Sequence, residues 1–227
     1  LLLGDLPNKG LYDQSQIKKI YLNFSQPNYW AKLDSNYWAW TQQEIPATMI
    51  VDGITYDSVG VRFRGQSSFQ QIPSSQKKPF GISTDYIRSN QNLMGYNKLN
   101  LNNCYDDESF IREIFYQHQI KHHIPVAKSA YTRLYINGQD WGLYPNVQQI
   151  NKDFYREWFL SNKGTNWRAD RPGGQVTPYG DGTGGLNYLG TDTTLYKAQY
   201  TLKSTEQTQP WFDLINTCDV LNNTSLA

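Results

Sequence analysis

Asp52-Gly53 stands between two runs that alternate apolar and polar residues, IPATMIV before it and ITYDSVGVRFRG after it. A two-residue loop that needs positive φ at both positions is a strong hairpin signal, because its twist matches that of the flanking strands. Residues 48–51 and 54–64 are therefore expected to pair antiparallel. Asn137-Gly138 repeats the pattern between 130–136 and 141–147. In IKKIYLNF, residues 17–24, Ile20, Leu22 and Phe24 fall on one face, and shorter strands are expected at 80–84 and 98–102.

Helical signals are fewer. Asp106, Asp107 and Ser109 can cap a helix over 110–122, whose Phe110, Ile111, Ile114, Phe115 and Ile120 recur at helical spacing. Asn151 caps a second over 152–159, with Phe154, Trp158 and Phe159 facing inward. A last strand is expected over 195–203 and a last helix over 211–221. The segment holding Trp30, Trp38 and Trp40 reads as an aromatic loop, and the Gly-rich stretch 173–190 as a long mobile one. The class is α+β, antiparallel hairpins with helices packed on them. Residues 1–16 are expected as an N-terminal extension and 17–227 as the domain.

Charge excludes little by sign but much by magnitude. Lys plus Arg number 21 against 20 acids, a net +1, which supplies no electrostatic reason for a nucleic-acid or anionic-membrane partner. No run approaches the roughly 18 apolar residues of a membrane span. Aromatics make up 15 %, with 17 Tyr and 7 Trp, a composition that suits a secreted or cell-surface protein. Cys104 and Cys218 have no CxxC or His partner, so they form either a disulfide or two buried thiols.

Arg62 and Arg64 lie two apart on the expected strand and so share a face. Beside Gly65, Ser67 and Ser68 they can hold phosphate oxygens bidentately; the same spacing also suits a solvated edge. Lys77 and Lys78 before Pro79 offer a third cation or an exposed pair. The loop from Gly180 lacks the GxxxxGK[ST] pattern and reads as surface. His118 and His122 have metal-ligand spacing, with His123 beside them, yet no HExxH completes a set, and a solvent-facing stripe accounts for them. Capping and dipole compensation account for Asp106, Asp107 and Glu108, with a metal role left open. Trp30, Trp38 and Trp40 offer a weaker carbohydrate-binding reading. Nothing resembles a Ser/His/Asp or Cys/His nucleophile.

In chain order, VGVRFRGQSS, KKPFGIS, LNLNNCYDDESFIREIF, IPVAKSAYTRLYINGQDWGLYPNVQQINKDF, GTNWRAD and LYKAQYTLKST resemble the spore coat protein H (CotH) family of atypical protein kinases, from about Ile17 onward. The resemblance implies a distant protein-kinase-like fold that binds ATP and Mg²⁺ and transfers phosphate to Ser or Thr of extracellular or surface proteins. It places Arg62, Arg64, Ser67 and Ser68 in the family's RGxSS turn and Lys78 at its KKP lysine. Tyr144 becomes the GLY tyrosine, a platform for adenine, and Lys203 falls in an ELKT-like TLKS. Two positions depart: Gln148 stands where the family usually has Glu, and Arg168 where many members carry Lys. The family's catalytic and metal-binding aspartates are expected beyond Ala227, so no catalytic residue is assigned. The alternative is a non-catalytic extracellular structural or adhesion module.

Overall fold

A computed structural model describes residues 10–74, 76–169 and 184–225, which form two compact units, 1–160 and 161–227. The class is α+β, as the alternation implied.

The first unit is a closed seven-stranded barrel. Its strands are β1 (Lys18–Asn23), β2 (Ile45–Val51), β3 (Ile54–Phe63), β4 (Phe80–Ser83), β5 (Lys98–Leu101), β6 (Ser129–Ile136) and β7 (Gln139–Gln148), in the order β1-β2-β3-β4-β5-β7-β6. Every neighbouring pair is antiparallel except β1 and β6, which run parallel with Ile20 opposite Leu134 and close the ring. Closure removes the exposed edges that an open sheet would leave. Both turns form as expected, with φ +50° and +76° at Asp52 and Gly53 and +47° and +81° at Asn137 and Gly138. Alternation fills the interior: Ile20 and Leu22, Met49 and Val51, Val61 and Phe63, Phe80 and Ile82, Leu99 and Leu101, Leu134 and Ile136 are all buried. Tyr56 and Val59 both point inward although three apart, because the β2–β3 register slips between Ala47 and Met49 and Ser58, at φ +56°, takes up the extra residue.

The expected aromatic loop is instead a helix, α1 (Tyr29–Trp38). Trp30, Leu33 and Tyr37 recur at helical spacing. Trp30 packs 4.9 Å from Phe63 and stacks at 4.9 Å on Trp141, and tertiary contacts of that kind override modest helix propensity. A single turn, α2 (Ser67–Gln70), buries Phe69. Helix α3 (Arg112–Ile120) is shorter than 110–122, and its apolar residues do not face the core: it buries none of its side chains, and Ile111 and Phe115 are exposed. The N-cap position falls to Ile111, which has no side-chain cap; Asp107, four residues earlier, accepts from the amides of Arg112 at 2.9 Å and Ser109 at 3.2 Å. Helix α4 (Lys152–Phe159) is capped by Asn151, whose side chain accepts from Asp153 and Phe154. Phe154 and Trp158 are buried, but Phe159 faces solvent.

The second unit pairs β8 (Asn166–Ala169) with β9 (Tyr200–Ser204) and carries α5 (Thr193–Lys197) and α6 (Pro210–Asn223) around Tyr196, Tyr200, Leu214, Ile215 and Cys218. The single strand expected over 195–203 divides, because Asp192 caps a helical turn by accepting from Thr194 at 2.9 Å. Of the Gly-rich stretch, 173–183 lies outside the described residues. Cys104 and Cys218 are both free thiols, the first half-buried and the second buried. Among the described residues, no helix is long and apolar enough to cross a membrane.

Candidate functional site

Strand β3 delivers Val59, Val61 and Phe63 inward, so Arg62 and Arg64 project from the outer face of the barrel. Arg62 lies over Gly81, its partner on β4, where a Cβ would stand 3.6 Å from Cγ and Nε of the arginine. Beyond Arg64 the chain turns through Gly65 at φ +81°. The Gly65 carbonyl accepts from the Tyr37 hydroxyl at 2.9 Å, and Ser68 folds back over the glycine. Asn103 fastens this turn, its amide donating to the carbonyls of Ser68 at 2.9 Å and Lys77 at 3.0 Å.

The Arg64 guanidinium donates to Asn102, whose own amide donates to both Glu113 oxygens at 2.8 and 2.9 Å. A cation is thereby positioned through a neutral amide by a carboxylate on α3. Burial lowers the Arg64 pKa, and the charge of Arg62 lowers it further against the opposing pull of Glu113. An anion approaching this group restores favourable electrostatics that the protein itself supplies incompletely.

Arg64, Ser67, Ser68, Asn102, Asp107 and Glu113 line a cleft of 510 Å³. A second cavity of 220 Å³ adjoins it, walled by Asn36, Tyr37, Trp40, Gln43 and Arg62, and Arg64 and Gly65 line both. The Arg64 guanidinium, two hydroxyls and a side-chain-free turn in the larger cleft, with Arg62 in the cavity beside it, suit a phosphorylated ligand, and the carboxylates of Asp106, Asp107 and Glu113 line the same cleft. Among the described residues no three His, Cys, Asp or Glu side chains converge to hold a cation. Helix α3 ends at Ile120, before His122, and His118, His122 and His123 are exposed.

The sequence-derived set divides. Arg64, Ser67 and Ser68 come together in the larger cleft, with Arg62 next to it. Lys78 is buried beneath the turn, its ammonium donating at 2.8 Å to the carbonyls of Phe69 and Ile72 and lying 4.0 Å from the Phe69 ring. The adjacent Lys77 donates to the Leu143 carbonyl and lies 4.1 Å from the Tyr144 ring. Burial brings Lys77 down to about 8, partly offset by Cys104, and burial pushes Cys104 up to about 11. Tyr144 needs correction as an adenine platform: it is fully buried in the barrel core, so no base can reach its ring from solvent. Gln148 is buried as well, donating to Glu157 at 2.8 Å while its carbonyl accepts from the Lys128 amide at 3.1 Å. Arg168 and Lys203 are exposed on β8 and β9 of the second unit.

Asn102 and Glu113 were not singled out as site residues by sequence reasoning. Both lie in segments that also carry β5 and α3, and only the fold brings a strand terminus and a helix onset against Arg64, just past the end of β3. No curated protein matches the chain significantly in sequence. A family model described as CotH kinase protein matches residues 61–227. The match opens within β3 and includes every residue of the larger cleft, and it leaves residues 17–60 outside. With its ordered motifs, its arginine-bearing turn and most of its length inside that match, the chain belongs to the CotH kinase family.

Proposed function

We propose that the chain is the nucleotide-holding part of an ATP- and Mg²⁺-dependent protein kinase that phosphorylates Ser or Thr of extracellular or surface proteins, on a distant protein-kinase-like fold. The observation that carries this reading is the Arg64–Asn102–Glu113 relay at the mouth of the 510 Å³ cleft. Phosphoryl transfer asks a protein mainly for positioned positive charge and an oriented nucleotide. Arg64, held by the relay, binds phosphate oxygens; Ser67 and Ser68 donate hydroxyl hydrogens; Gly65 lets the ligand approach the backbone. Magnesium supplies charge neutralisation when it arrives with the nucleotide. Among the described residues no three His, Cys, Asp or Glu side chains converge to hold a metal ion.

The test is a thermal-shift titration with ATP, with and without Mg²⁺. A ligand at about 100 times its Kd should stabilise the fold by roughly 2.7 kcal/mol. Arg64→Ala should weaken ATP binding at least tenfold, since a charge-assisted hydrogen bond is worth about 1.5–3 kcal/mol. Unchanged affinity in Arg64→Ala would remove this cleft as the phosphate site. The second reading, a non-catalytic surface module, is favoured by Lys78 and Gln148, both engaged inside the fold. It expects no nucleotide-dependent shift in any form of the chain.

A further inference from the structure

We infer that the smaller cavity, between the end of α1 and β3, receives the purine base of the nucleotide, with Trp40 as its stacking platform; this rests on the reading of the larger cleft as the phosphate site. Tyr37 stacks on buried Phe69 at 3.6 Å and lies 6.2 Å from Trp40 at 31°. This aromatic ladder runs from the core outward and ends in a ring 68 % exposed. A large apolar ring left at the end of such a ladder, inside a cavity, offers a face for another planar group.

The loop that presents the ring is built rather than loose. Trp40 and Gln42 both take left-handed backbone conformations, φ +57° and +52°, unusual for residues other than glycine. The loop is tied to α1 at both ends: the Trp40 amide donates to the Tyr37 carbonyl at 3.1 Å, and the Asn36 amide donates to the Gln43 carbonyl at 3.2 Å. Gln42 and Gln43 carry amides at the cavity wall, each able to donate and accept as a purine edge requires. Arg64 and Gly65 line both cavities. A base against Trp40 therefore leaves its ribose near Gly65 and its phosphates in reach of Arg64, Ser67 and Ser68. Tyr37 couples the two halves, since its hydroxyl holds the Gly65 carbonyl at 2.9 Å. Asn36, Tyr37, Trp40 and Gln43 all precede residue 61, outside the family match.

Isothermal titration of the full chain with ATP and with tripolyphosphate, which lacks a base, separates the two claims. ATP should bind more tightly than tripolyphosphate. Trp40→Ala should weaken ATP roughly 5- to 150-fold, the range for losing one base–aromatic stack, and leave tripolyphosphate unchanged. Trp40→Phe should keep most of the ATP affinity, and Arg64→Ala should weaken both ligands. ATP affinity unaltered in Trp40→Ala, with Arg64→Ala still impaired, overturns the base site and spares the phosphate site. Equal loss of ATP and tripolyphosphate in Trp40→Ala also overturns it, because the loop then acts on the phosphate cleft. If the unsubstituted chain binds neither ligand, the nucleotide reading falls and this inference falls with it.

Discussion

Gly65 shows how one residue sets the geometry of the cleft. Its φ of +81° is open to glycine and strained for other residues, and a Cβ there would run into Ser68 and stand 3.3 Å from Pro79. Gly65→Ala should therefore lower stability by about 1–2 kcal/mol from the backbone alone and more from the collision, read as a reduced urea midpoint. A midpoint equal to that of the unsubstituted chain would mean the turn is not held in this form. The residue types that meet at this turn were legible in the sequence: two arginines at spacing two, a glycine and two serines. What Lys78 and Tyr144 do was not legible, because a cation or an aromatic ring reads the same whether it faces a ligand or the core. Burial alone distinguishes them, and burial is set by residues far away in the chain.

At the scale of elements, Glu157 fastens α4 to the barrel. It accepts from Tyr96 at 2.9 Å and from Gln148 at 2.8 Å, and it pairs with Lys128 at 3.0 Å. Burial pushes its pKa up, but the hydrogen bonds from Gln148, Lys128 and Tyr96 outweigh that and leave it lowered. Its stabilising contribution is thus present above the unfolded pKa and lost as pH falls through the folded one. Gln148→Glu replaces the donor with a second carboxylate, restoring the residue usual at this position of the CotH-like GLY segment. Two carboxylates in hydrogen-bond contact hold a proton more tightly than they would when unfolded, so the penalty is present at neutral pH and relieved by acidification. We expect a loss of about 1–3 kcal/mol at pH 7 that shrinks toward pH 5, followed by chemical denaturation at both values. A loss independent of pH would show that like-charge repulsion is not its cause. Gln148 stands where the resemblance expects a carboxylate; its hydrogen bonds make it a link between a helix and a strand. Helix α1 was missed at this scale for a related reason: with Trp and Tyr at its contact positions, the segment resembles an aromatic loop until Phe63 and Trp141 supply something to pack on.

For the whole molecule, barrel closure is the decisive event. The family match begins at residue 61, yet β1, β2 and most of β3 lie before it, and the ring closes only through the parallel pairing of β1 with β6. A chain cut to 61–227 should lose the barrel, exposing the edges of β4 and β6 and the apolar residues that Ile20, Leu22, Met49 and Val51 cover. The expected result is loss of the cooperative transition in circular dichroism and strong binding of a hydrophobic dye. A sharp transition at the temperature of the intact chain would show that the matched span folds without β1 and β2.

By itself the sequence determined the periods and the turns. Asp52-Gly53 and Asn137-Gly138 dictate two hairpins through their positive φ angles, alternation assigns the inward residues of β1 and β2, and Asn151 announces the start of α4 through local hydrogen bonds. These are short-range properties, decided by neighbours within a few positions. Only the tertiary structure decided that the strands form a closed ring with one parallel seam, that Tyr144 and Lys78 are enclosed, and that Asn102 and Glu113 meet Arg64. Those outcomes rest on contacts between residues far apart in the chain, whose free energy comes from burying shared surface and satisfying polar groups together, and no local pattern encodes which distant partner will be there.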